Sequence, residues 1–138
     1  MTVPQPRLIS DAYALIPRKV VQSAAYQALP DWAVRVLLAY ACQYNGRNNG
    51  RLVVTTWNFD RLGVRARWHV RASTRLLEAT GLIERTDEPT TYALTWLARS
   101  IVDDDEVVEP SDRWQEWEKP KEWRAIVSEA KRDAKTVH

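Results

Sequence analysis

A chain of 138 residues, 45% of them apolar, is long enough for one small domain with a modest core and too short for several. Its formal charge of +2 hides an imbalance, because residues 1–102 hold 13 Lys+Arg against 7 Asp+Glu whereas 103–138 hold 7 against 11. A basic body with an acidic tail favours a polyanion partner for the body. No apolar run approaches the ~18 residues of a membrane span. The N-terminal MTVPQPRLIS lacks an apolar leader stretch, and the single Cys42 cannot close an internal disulfide. A cytoplasmic protein with no membrane partner is expected.

Residues 1–12 read as an N-terminal arm, since Pro4 and Pro6 disfavour helix. Pro17 then suits a first helical turn, and Ser23 can cap a second short helix over 24–29. Tyr13, Leu15, Val20, Val21, Tyr26 and Leu29 are expected core contacts. Asp31 favours the positive end of the next helix, over 32–44. There Ala33, Val36, Leu37, Tyr40, Ala41 and Tyr44 recur at helical spacing, and Cys42 is expected to fill core space among them. Asn45-Gly46 closes this helix, Asn48–Gly50 turns the chain, and RLVVT over 51–55 reads as a short strand.

The stretch 55–81, TTWNFDRLGVRARWHVRASTRLLEATG, then reads as two helices around a turn at Gly63. Thr55 or Thr56 caps the first, Phe59 and Leu62 turn inward, and Val64 plugs the gap between the two. In the second helix, over 66–80, Ala66, Val70, Ser73, Thr74 and Leu77 share one side. Arg67, Arg71 and Arg75 fall nearly opposite at i, i+4 and i+8, with Trp68 beside them. Stacked like charges repel by a few tenths of a kcal/mol per pair, roughly. An anion lying against the face relieves that repulsion, although many charge runs are only solvated. Gly81 stops the helix.

LIERT at 82–86 and TYALTW at 91–96 read as a hairpin around Asp87-Glu88-Pro89-Thr90. The order helix, helix, strand, helix, helix, strand, strand predicts a mostly α fold with a small antiparallel sheet (α+β). It is the order of a winged helix-turn-helix domain, placed at 13–100. An acidic linker over 101–112 and a Trp-rich helical tail over 113–138 follow, the tail broken at Pro120. Trp114, Trp117 and Trp123 either fold back on the domain or form a docking surface for a partner protein. A cut near Val108 is expected to leave a folded domain.

The span 13–96 resembles a family of small winged helix proteins from prophages, plasmids and other mobile elements. VVQSAAYQAL, YNGRNNG, LVVT, RLG, LLEATGLIER and YALTW carry the resemblance, and the tail WQEWEKP resembles the aromatic end of relatives. The resemblance implies a double-stranded DNA-binding protein of a bacterial host cytoplasm. It would regulate transcription or bind a replication origin, commonly as a homodimer. Two features depart from the family. The turn GVRAR is one residue longer than usual, and the hairpin turn DEPT is acidic where a phosphate-gripping wing carries Lys or Arg.

On this reading the helix over 66–80 enters the major groove. Arg65, Arg67 and Arg71 are candidates for bidentate contacts to guanine, while Arg75 and Arg61 meet phosphates. Thr55 and Thr56 offer backbone N–H groups to phosphate. Trp68 either packs on sugar and thymine methyl or covers the gap between the arginine helix and the hairpin. His69 is a further phosphate candidate. An enzyme is not expected: two histidines and one cysteine are too few for a metal cluster, and no cofactor or phosphate-cradling glycine motif occurs. The remaining alternative is a winged helix used as a protein-binding module.

Overall fold

The computed structural model describes residues 14–53, 59–86, 91–101 and 106–136. Pro17 stands at the N-cap of α1 (Arg18–Val21), fixing its own φ at −59° before the helix begins. Ser23 accepts a hydrogen bond from the Tyr26 amide (3.2 Å), which caps α2 (Ala24–Gln27). The long helix α3 (Asp31–Gln43) buries Ala33, Val36, Leu37, Ala39, Tyr40 and Ala41. Its centre is Tyr40, in edge contact with Phe59 at 5.1 Å and Tyr92 at 5.7 Å. Burial raises the Tyr40 phenol pKa well above its ordinary value.

Three short antiparallel strands make one sheet in the order β1-β3-β2: β1 (Leu52–Val53), β2 (Ile83–Arg85) and β3 (Thr91–Leu94). Leu52 faces Tyr92, and Ile83 faces Leu94. Two amides tie the sheet down. Gln43 exchanges both of its side-chain hydrogen bonds with the backbone of Val53 (2.9 and 3.0 Å). Buried Asn49 accepts from the Leu94 amide (2.7 Å) and donates to the Leu94 and Leu97 carbonyls (3.0 Å each). The fold is therefore α+β with a small antiparallel sheet, and no described helix is long and apolar enough to cross a membrane.

Both turns around the arginine helix α4 (Arg67–Ala79) are built alike. Gly63, at φ +85°, donates to the Asp60 carbonyl, and Val64 donates back to Phe59 (2.9 Å). Gly81, at φ +78°, donates to Glu78, and Leu82 donates back to Leu77 (3.0 Å). Each glycine reverses the chain in the left-handed region, and the apolar residue after it lands on the apolar residue five positions earlier. Phe59, Val64, Leu77 and Leu82 are all buried. Because Val64 takes the inward place, Leu62 is left 43% exposed, which corrects its expected inward position.

Other expectations are corrected by how the short elements turn. Leu15 is 70% exposed, and Val21 is exposed because four-residue α1 buries only Val20. Cys42 is exposed, since it continues the outward stripe Asp31, Arg35, Leu38 of α3.

The tail departs most from expectation. Part of the stretch read as an acidic linker pairs: β5 (Glu106–Val108) runs antiparallel to β4 (Arg99–Ile101). A 3-10 turn at Arg113–Gln115 and helix α5 (Trp123–Thr136) follow, the two helical pieces foreseen around Pro120. Trp114 and Trp123 are buried in the same core as Tyr40, and the Trp123 indole donates to the Ala28 carbonyl (2.9 Å). Arg113 presses so closely on Gly81 that a Cβ there would lie 2.9 Å from its backbone carbonyl.

Candidate nucleic-acid interface

Helix α4 is amphipathic. Val70, Ser73, Thr74 and Leu77 are buried toward the rest of the domain, and Tyr40 and Thr74 share a 2.8 Å hydrogen bond between α3 and α4. That bond and the core contacts fix the rotation of α4, so Arg67, Arg71 and Arg75 emerge together on the exposed side. Ala66 stands at the N-cap with no capping side chain, and the first turn holds no acid. The positive end of the helix dipole and the Arg67 guanidinium therefore reinforce each other. Glu78, the acid of α4, is paired with Arg85 of β2 at 3.4 Å.

Among the described residues, Arg65 and Arg75 have carboxylate partners. Arg65 Nε lies 3.4 Å from Asp60, but both side chains are mostly exposed, so the attraction is screened. Arg75 Nη1 meets Asp133 of α5 at 3.1 Å, both about half exposed. Arg67 is exposed and makes no ion pair among the described residues. Arg61 and Arg71 are exposed as well. Thr55 and Thr56 lie outside the described residues.

Trp68 is spoken for. Its ring meets Trp32 edge-on at 5.7 Å and stacks on His69 at 5.4 Å. The Lys131 and Lys135 ammonium groups sit 5.3 and 4.7 Å from its ring centroid. Trp68 thus closes the corner between α3, α4 and α5 rather than covering the hairpin or presenting a bare face. His69 is corrected similarly, because its Nε2 is engaged by the Trp32 carbonyl. Of the two readings of the tail tryptophans, the structure shows folding back on the domain: Trp114 and Trp123 are buried, and Trp117, partly buried, packs edge-on against Trp123 at 5.0 Å. Burial in the chain's own core removes Trp114 and Trp123 from a docking surface.

The residues that sequence reasoning missed are on α5. Trp123, Ala130 and Ala134 form its buried stripe. Lys131 and Lys135, one turn apart, lie on one flank of that stripe, and Asp133 lies on the other. Trp68 and Arg75, two turns apart on α4, meet opposite flanks, so α5 lies across α4. A helical tail beyond Pro120 was expected, but local sequence does not say which helix receives it. No family model, curated protein or solved structure matches this chain.

Proposed function

We propose that the protein binds double-stranded DNA through α4, with a winged helix-turn-helix arrangement. The turn at Phe59–Gly63 precedes α4 as the recognition helix, and β2 and β3 follow as the arms of the wing. Support comes first from one observation: Arg67, Arg71 and Arg75 share the exposed face of a helix whose opposite face is locked into the core. Arg65, Arg67 and Arg71, toward the start of α4, meet base edges, while Arg61 and Arg75 meet phosphates. The proposed setting is a bacterial mobile element, where the protein regulates transcription or marks a replication origin.

Selection of bound sequences from a random duplex pool tests this. Enrichment of a G-containing motif is the expected result. An inverted repeat identifies a dimeric regulator, and tandem copies identify an origin binder. Failure to enrich any sequence, together with no salt-sensitive affinity for duplex, removes the reading. The alternative of a protein-binding module drew on the acidic hairpin turn and on the tail tryptophans, and the burial of Trp114 and Trp123 in the core withdraws most of the second support.

A further inference from the structure

From the way α5 lies across α4 we infer that α5 is the phosphate-gripping element of the interface, through Lys131 and Lys135. The inference rests on the DNA-binding reading and adds to it the part of the chain that holds the duplex wall. The tail is not uniformly acidic. Residues 103–118 hold eight Asp+Glu and one Lys+Arg, whereas 119–138 hold three and six. The basic portion contains the helix that meets α4. The hairpin turn, Asp87-Glu88-Pro89-Thr90, carries two acids and no cation, so its charge opposes a phosphate.

Helix α5 cannot readily step aside. Trp123 and Trp114 anchor it in the core, and Gly81 accepts the Arg113 backbone at a distance that leaves no room for a methyl group. Nor can both helices enter one groove. Packed helices sit roughly 8–10 Å apart and each is about 10–12 Å wide, against a major groove about 12 Å wide. With α4 in the groove, α5 lies over the sugar–phosphate wall. The Lys131 and Lys135 ammonium groups lie over the Trp68 ring, 5.3 and 4.7 Å from its centroid, and both residues keep access to solvent: Lys135 is exposed and Lys131 partly so. Asp133, on the other flank, is held by Arg75, which limits its repulsion of the same wall.

The test is fluorescence anisotropy of the full chain with a labelled random-sequence duplex across a KCl series. Lys131→Gln/Lys135→Gln removes two charges and keeps a polar side chain at each position. Arg67→Ala/Arg71→Ala serves as the groove control. The inference expects the glutamine pair to lower the slope of log affinity against log salt by about 2, and affinity by roughly 10- to 100-fold at ~0.1 M salt, whatever the sequence. Lys131→Arg/Lys135→Arg should restore both. If the glutamine pair does not fold, Lys135→Gln alone should lower the slope by about 1. An unchanged or tighter glutamine variant, beside an arginine control that loses binding, overturns the inference and leaves the DNA reading standing. A parent that binds no duplex overturns both.

Discussion

Replacing Gly81 with alanine should be far more damaging than the same change at Gly63. Both glycines sit in the left-handed region, at φ +78° and +85°. Alanine there is strained by about 1–2 kcal/mol, offset by about 0.4–1 kcal/mol from the stiffer unfolded chain. That leaves about 0.5–1 kcal/mol for Gly63→Ala, whose new methyl meets nothing closer among the described residues than Arg35 Nη1 at 4.0 Å. At Gly81 the methyl would lie 2.9 Å from the backbone of Arg113, which cannot rotate away. Displacing the start of the tail adds the cost of an overpacked core, about 1–3 kcal/mol, for a total near 2–4 kcal/mol. Urea unfolding followed by tryptophan fluorescence reads both values, and the shared backbone strain cancels in their difference. Equal losses at the two sites, within ~0.5 kcal/mol, would refute the claim that the tail is docked on the turn after α4.

Truncation after Val108 removes two buried tryptophans, whose burial is worth up to about 4–6 kcal/mol each, so the fragment should lose cooperative unfolding in calorimetry. This reverses the expectation of an independently folded body. Tyr40→Phe should cost about 1–3 kcal/mol by stranding the buried Thr74 hydroxyl, and Thr74→Val added to it should recover part of that loss in denaturant melts. Burial raises the Tyr40 phenol pKa in the folded chain, as it does that of Tyr92 to a smaller degree. The unfolded chain therefore releases these protons first. Stability should hold below the ordinary phenol value of 10.0 and fall as pH rises above it, less steeply in Tyr40→Phe. Asp133→Asn frees Arg75 and should tighten duplex binding roughly 3- to 10-fold at ~0.1 M salt. Its half-exposed ion pair is worth under about 1 kcal/mol, so melting should barely move.

Local physics made much of the fold readable in advance. Apolar spacing marked α3 and α4, Ser23 marked a cap, Gly63 marked a turn and Gly81 a helix end, because each signal depends on neighbours within a turn or two. The outward row of arginines on α4 followed from the same periodicity. What escaped depends on contacts distant in sequence. Val107 and Val108 sit beside a run of acids, and only the partner strand 99–101 turns them into β5. Asn49 looked like a turn residue, yet its amide clamps the backbone at Leu94 and Leu97. The helical tail was legible, but the seat of α5 across Trp68 and Arg75 was not, and that seat brings Asp133 to Arg75. Trp68 and His69 were misjudged for the same reason, since Trp32 comes from 36 and 37 positions away.

The most direct measurement is a side-by-side titration of the parent and Arg67→Ala/Arg71→Ala against the duplex selected by the parent, at fixed salt. If α4 reads base edges, each arginine lost should weaken specific binding by ~1–3 kcal/mol and flatten the preference over random duplex. A doubly substituted protein that melts normally and binds the selected duplex as tightly as the parent would place the interface somewhere other than α4.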